Sequence, residues 1–180
     1  MKQMIGKGYT HIYTGPGKGK TSAALGLAFR ASGSGLKSVI IQFMKGLPSG
    51  EIEAAARTGG LITIERYGSE RFCRPDACDG SLDEHRDHAR RGYERAAGLI
   101  ASGEYRIVIL DEIVTACTFG LLAEEDIISL MKGKPDGTEL ILTGRGATAG
   151  LISHADLVTE MREIKHYYQS GVPPRKGIED

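Results

Sequence analysis

Three short stretches of this chain combine residue types and spacings suited to phosphate chemistry. The first runs from Thr14 to Ser22 and reads Thr-Gly-Pro-Gly-Lys-Gly-Lys-Thr-Ser. Gly19, Lys20 and Thr21 match the end of the pattern Gly-x-x-x-x-Gly-Lys-Ser/Thr. The first glycine of that pattern is replaced by Thr14, with Gly15 one place later. The physics survives the change. Gly15, Gly17 and Gly19, interrupted by Pro16 and Lys18, let the backbone curl so that several N–H groups point inward. A helix starting at the end of the turn adds partial positive charge. Lys20 can reach terminal phosphates, and the Thr21 hydroxyl can ligate Mg²⁺. The expected ligand is a nucleoside triphosphate, ATP with Mg²⁺ (or Mn²⁺).

The second stretch is Asp111-Glu112, directly after the apolar run Arg106 to Leu110. An acidic pair at the end of such a strand suits metal binding or polarisation of water, with Glu112 the metal candidate beside Thr21. The same pair is also favourable at the start of a helix, through the dipole. The third stretch is Thr143-Gly144-Arg145, after the apolar run that begins at Glu139.

The elements around these stretches alternate between strand and helix patterns. Strands are predicted over Tyr9–Thr14, Ser38–Phe43, Leu61–Arg66, Arg106–Leu110 and Glu139–Thr143, from β-branched and apolar enrichment. Asp156–Ile164 reads as an edge strand. Helices are predicted over Ser22–Ala31, Glu51–Thr58, Leu82–Ser102 and Ala123–Met131. Tyr67–Ser81 reads as irregular, and the tail after Lys165 as polar and proline-bearing, a surface segment that takes His166 and Tyr167 with it. The alternation predicts an α/β fold with a mostly parallel central sheet and helices on both faces. With the loop, this becomes a P-loop NTPase-like (RecA-like) three-layer sandwich, in one domain over residues 1–180. Ligands in such folds sit beyond the C-terminal ends of the strands, where all three polar stretches fall.

Composition narrows the function. Apolar residues make up 41% and charged residues 26%, ordinary values for a globular protein. No apolar run approaches a membrane span, and Met1 to Gly8 lacks the apolar stretch of a signal peptide, so cytoplasmic residence is expected. Cys73, Cys78 and Cys117 read as reduced thiols. Net charge is zero, yet residues 1–50 hold seven Lys or Arg and no Asp or Glu, leaving residues 51–180 at −7. The basic half suits a polyanionic ligand. A chain neutral overall offers no extended basic stripe for nucleic acid.

Several runs together resemble the cob(I)alamin (corrinoid) adenosyltransferases of the CobA/CobO/BtuR type. They are Tyr-Thr-Gly-Pro-Gly-Lys-Gly-Lys-Thr-Ser at 13–22, Ala-Phe-Arg-Ala at 28–31 and Gln-Phe-Met-Lys-Gly at 42–46. Val-Ile-Leu-Asp-Glu-Ile at 108–113, Leu-Thr-Gly-Arg-Gly at 142–146 and Ala-Asp-Leu-Val-Thr-Glu-Met at 155–161 continue the likeness. Lys-His at 165–166 and Gly-Val-Pro-Pro-Arg-Lys-Gly-Ile-Glu at 171–179 complete it, so it spans nearly everything after Gly8. The resemblance implies transfer of the 5′-deoxyadenosyl group of ATP to Co(I) of a corrinoid with release of triphosphate, in cobalamin biosynthesis or salvage. The nucleotide would lie reversed in the loop, exposing the ribose C5′. Co(I) is itself a strong nucleophile, so such a protein supplies aim and charge stabilisation.

By matching position, the resemblance implies that Lys20 and Thr21 hold phosphate and Mg²⁺, that Glu112 is the second metal contact, and that Arg30 and Arg145 line the nucleotide or corrin site. Arg30 has an alternative as a helix-surface ion-pair partner. A homodimer and a flavoprotein reductant are also implied. The loop alone leaves two other readings open: an ATPase driving a partner process, and a non-catalytic corrinoid-binding protein.

The chain departs from the family pattern at two places. Some members carry a Phe-x-Trp element under the corrin ring, whereas this chain has no Trp. In the corresponding region Tyr67 and Phe72 are the candidate corrin contacts, or else core anchors. The N-terminal segment is short, so a capping element found in the family is expected to be missing. Cys73, Cys78, His85 and His88 have ligand types that zinc uses, but shorter intervals than a zinc finger; loop thiols and helix-face histidines are the other reading.

Overall fold

Successive strand side chains point to opposite faces, and in the central strands both faces are covered. The structure is a computed structural model and describes residues 6–70, 73 and 81–179. Its strands are β1 (Thr10–Thr14), β2 (Ser38–Phe43), β3 (Ile62–Tyr67), β4 (Ile107–Asp111), β5 (Glu139–Thr143) and β6 (Leu157–Glu160). They form one sheet in the order β3-β2-β4-β5-β1-β6, with every neighbouring pair parallel. The helices are α1 (Lys20–Ser32), α2 (Gly50–Ala56), α3 (Ser81–Ser102), α4 (Ile113–Thr118), α5 (Glu124–Gly133) and α6 (Ala149–Ser153).

β2 and β4 are buried along their whole length, which is why they read as continuous apolar runs rather than as alternations. On one face, Ile40, Ile109 and Ile141 pack against Ala24, Ala28 and Ala31 of α1. Those alanines fall on one helical stripe, and their small side chains let the helix lie close to the sheet. On the other face, Val39, Ile41, Val108, Leu110, Leu140 and Leu142 join residues of α3, α4 and α5. There α3 approaches closely at Gly92, where a Cβ would sit 2.9 Å from Phe43 Cε1. β6 forms one edge and is exposed at all its residues.

The predicted strands and helices recur within a few residues at each end. Three elements are additional: α4, α6 and a short 3-10 turn over Tyr167–Ser170 in the tail. α4 is rich in β-branched and threonine residues, which favour strands, but Ile113 to Ala116 are buried and tertiary packing overrides propensity. α6 is a single turn capped by Thr148, whose hydroxyl accepts from Leu151 N at 3.1 Å. Tyr67 closes β3 instead of opening an irregular segment; most of the rest of that segment lies outside the described residues.

β2, β4, β5 and β1 are consecutive in the sheet, so their C-terminal ends lie side by side. That crevice is where an open parallel sheet offers loops and helix N-termini to a ligand. Ile109, fully buried on the central strand β4, gives a test of the packing. Ile109→Ala should lower unfolding free energy by about 2–5 kcal/mol in urea titration. Phe29→Ala, at a site 74% exposed, should change it by less than about 0.5 kcal/mol.

Candidate functional site

The turn from β1 to α1 is shaped by backbone conformations that glycine alone takes without strain. Gly15 and Gly19 have φ of 101° and 119°, and α1 starts at the next residue, Lys20. The back of the turn lies against the chain just after β6. Gly17 N donates to Met161 O at 2.7 Å, and a Cβ on Gly17 would stand 2.7 Å from that same oxygen. Thr14 closes the base, its carbonyl accepting from Met161 N at 2.8 Å and its hydroxyl from Ala147 N at 3.2 Å. Lys20 is buried and folds back into the turn, where Nζ donates to Gly15 O and Gly17 O at 2.8 Å each. Burial pushes its ammonium below the ordinary lysine value; Glu112 opposes that shift and Arg145 adds to it.

Beside Lys20, Thr21 donates to Asp111 Oδ1 at 2.8 Å. Asp111 is only 1% exposed and is the hub of the site. Thr143 also donates to Oδ1, at 2.7 Å, while Lys45 and Gln42 approach Oδ2 at 2.8 and 3.3 Å. Glu112 follows in the left-handed region, with φ of 64°. Its backbone N–H donates to Thr143 Oγ1 at 2.9 Å, and its carboxylate accepts from Thr115 at 2.5 Å. Thr115 Oγ1 accepts in turn from Arg145 N at 2.8 Å. The carboxylate touching Thr21 is therefore that of Asp111, whereas Glu112 pairs with Thr115 on the cavity wall. Burial pushes the nearby Glu51 carboxyl up, but hydrogen bonds led by the Gln42 amide outweigh this and hold it below the ordinary value.

These groups open on a cavity of about 610 Å³. The turn from Pro16 to Ser22 forms one wall, and Lys45, Glu51, Glu112 and Arg145 form another. The C-terminal tail supplies a third, through Glu163, His166 and Gly177 to Glu179. The sequence placed this tail on the surface, apart from the site. A long-range cluster draws it in: Lys18 Nζ donates to Glu179 Oε1 at 2.7 Å and to the Tyr167 hydroxyl at 2.8 Å. Arg175 joins Glu179 at 3.1 Å, and the Tyr167 hydroxyl donates to the same carboxylate. Arg175 first, then Lys18 and Tyr167, hold the Glu179 carboxyl far below the usual carboxylate range.

The profile of the family described as ATP:corrinoid adenosyltransferase BtuR/CobO/CobP matches residues 6–179. The chain belongs to this family. A corrinoid adenosyltransferase of Pseudomonas aeruginosa is 34% identical over 178 residues, covering 96% of this chain and 84% of the relative. One of Escherichia coli is 30% identical over 174 residues, covering 96% and 86%. The uncharacterized Nostoc protein all2391 is 38% identical over 173 residues, and the match spans 88% of this chain but 45% of that protein. The family makes the chain an ATP-using transferase of corrinoid metabolism. Among the described residues no helix is long and apolar enough to cross a membrane.

Residues assigned by the family resemblance are not all gathered at the cavity. Arg145 is on its wall. Arg30 is exposed in the last turn of α1, about 15 Å along the helix axis from Lys20, where a cation suits the helix C-terminus. Tyr67 packs against the core and Gly92, donates to Glu65 at 3.0 Å, and does not line this cavity. Phe72 and Cys78 lie outside the described residues. Cys73 and His85 are buried, while His88 stands 3.9 Å from Glu84. Among the described residues no three His, Cys, Asp or Glu side chains form a metal-binding group. Sequence reasoning gave no site role to Lys45, Gln42, Glu51 or the tail, although the runs at 42–46 and 171–179 carried the family resemblance and residues 1–50 held an excess of cations.

Two predictions follow from this geometry. Thr143→Val leaves the Glu112 N–H without an acceptor and removes a donor to Asp111, and should cost about 1–3 kcal/mol in urea unfolding. Thr143→Ser should retain most of that stability. The second concerns pH. A depressed Glu179 carboxyl stabilises the docked tail above the ordinary carboxylate value and loses that effect as pH falls through the depressed one. Docking should therefore hold at pH 7 and loosen only in strong acid. Glu179→Gln should speed amide exchange over residues 175–179 at pH 7.

Proposed function

We propose that residues 14–22 hold the triphosphate of ATP and that this chain transfers the 5′-deoxyadenosyl group to Co(I) of a corrinoid, releasing triphosphate. The observation that carries this reading is the buried ammonium of Lys20 inside a glycine turn at the mouth of the cavity, bonded to two loop carbonyls. Such a turn, between a parallel strand and a helix N-terminus, suits a polyanion. On this reading the fold is a P-loop NTPase-like (RecA-like) three-layer sandwich, forming one domain over residues 1–180.

Transfer to cobalt needs an exposed ribose C5′ and a stabilised leaving group. Cobalt of the substrate brings the nucleophile, so the chain need not deprotonate one. Gly15, Gly17 and Gly19 offer backbone N–H groups, and Lys18, Lys20 and Arg145 offer charge. C5′–O cleavage adds one negative charge to the departing triphosphate. Fixed cations and amides therefore hold the product side of the reaction more strongly than the bound ester.

The oxygen set at the base of the cavity fits Mg²⁺ or Mn²⁺. Thr21 Oγ1 already lies against the Asp111 carboxylate, with Glu112 beside it. Few protein ligands suit a cation that takes phosphates and water for the rest of its shell. Thr21 and Glu112 would hold it, with Asp111 orienting Thr21, and it would supply further charge to the phosphates. Arg30 would serve a nucleotide or corrin site beyond this cavity, and Tyr67 and Phe72 would contact the corrin. A homodimer, a flavoprotein reductant and a cytoplasmic location complete the proposal.

Incubation with ATP, Mg²⁺ and chemically reduced corrinoid should give triphosphate and a light-sensitive cobalt–carbon product. Lys20→Ala should reduce turnover by about a hundredfold or more. ADP and phosphate formed without corrinoid would contradict the proposal.

A further inference from the structure

Lys45 is the one cation of the cavity wall that stands in the turn after β2. Its backbone is tightly prescribed. Met44, just before it, takes φ of 60°, left-handed for a residue without glycine's freedom. Met44 N donates to Tyr67 O at 3.0 Å, so the chain bends at the last rung of the β2–β3 ladder. From the side, a Cβ on Gly68 would overlap the Lys45 nitrogen, and one on Gly46 would overlap the Ser69 carbonyl. Arg66 donates to Gly46 O at 3.4 Å and to Leu47 O. The outcome is a lysine whose Nζ stands 2.8 Å from Asp111 Oδ2 and 4.0 Å from Glu51.

A simple ion pair does not account for this arrangement. The Lys45 side chain is 32% exposed whereas Asp111 is 1% exposed, so the ammonium stays open to the cavity while its partner is buried. Asp111 already has Thr21, Thr143 and Gln42 as donors. What the turn does secure is an ammonium on the cavity wall. Lys45 and the Thr21 hydroxyl sit on the two oxygens of one carboxylate, each at 2.8 Å. A four-carbon stem lets the ammonium change partners without backbone movement.

We infer that Lys45 is a further triphosphate-binding residue, held by Asp111 and passing onto a phosphate oxygen of the nucleotide and of the leaving triphosphate. This rests on the reading that the cavity takes a triphosphate. The test is calorimetric titration of the full chain with inorganic tripolyphosphate, for the unsubstituted protein, Lys45→Ala, Lys45→Gln and Lys45→Arg. Lys45→Gln keeps a donor to Asp111 but no charge. Both Lys45→Ala and Lys45→Gln should bind roughly tenfold more weakly, with a shallower dependence on salt, and Lys45→Arg should stay close to the original affinity. Lys45→Gln binding as tightly as the original chain would make Lys45 a brace for Asp111 only and overturn the inference. Should Lys45→Ala fail to fold, the Gln and Arg pair still decides. No binding by the unsubstituted chain would instead remove the triphosphate reading itself, and this inference with it.

Discussion

The site is organised around one buried anion. The Asp111 carboxylate ends the central strand β4 with almost no exposure to water, and removing such a group from water is unfavourable unless its lone pairs are filled. They are filled from four directions: Thr21 on α1, Thr143 on β5, Gln42 on β2 and Lys45 in the turn beyond β2. Each donor is carried by a different segment, so satisfying this one carboxylate fixes the relative placement of three strand ends and a helix start. Loss of the carboxylate would release all four at once. The parallel order β2-β4-β5-β1 is what makes such a convergence possible.

The two adjacent acids divide the labour through backbone geometry. A strand residue followed by another strand residue would send the two side chains to opposite faces. Here the left-handed conformation of Glu112 breaks that alternation and starts α4 immediately. Asp111 stays beneath the sheet end, and Glu112 turns to the cavity wall beside Thr115. Thr143 serves both, donating to one acid and accepting from the backbone of the next. The strain at Glu112 is therefore held by bonds at its own N–H and its own carboxylate.

Much of this was legible in sequence because it is local or periodic. β2 and β5 were read with the bounds they have, since unbroken apolar runs leave few alternatives for a buried parallel strand. The strand–helix alternation also placed Thr14 to Thr21, Asp111-Glu112 and Thr143 to Arg145 at one end of the sheet. The missing parts depend on distance. Nothing near Glu179 indicates that it meets Lys18, since 161 residues separate them. Lys45 lies in a run that carries the family resemblance, but its direction is fixed only by the backbone at Met44 and Gly68. Arg30 shows how little a motif says about geometry. The buried stripe of α1 runs through Lys20, Ala24, Ala28 and Ala31, and position 30 lies off it. Helical periodicity alone would have pointed that arginine outward.

The three lysines of the cavity share a common arrangement, and it bears on how a polyanion is received. Lys20 is bonded to loop carbonyls, Lys18 to Glu179 and Tyr167, and Lys45 to Asp111. Each ammonium is thus held by an acceptor of the chain itself. Three close, unpaired cations would repel one another and would wander, and ordering them at binding would cost conformational entropy. Internal acceptors remove both problems, because binding becomes an exchange of partners by side chains already in place. The acceptors differ in kind, however. Neutral carbonyls release Lys20 at little electrostatic cost, whereas Glu179 and Asp111 each leave a carboxylate to be satisfied. Asp111 keeps three other donors, and Glu179 keeps Arg175 and Tyr167. That redundancy is what allows Lys18 and Lys45 to leave without stranding a charge, and it explains why so many donors converge on two carboxylates in so small a volume.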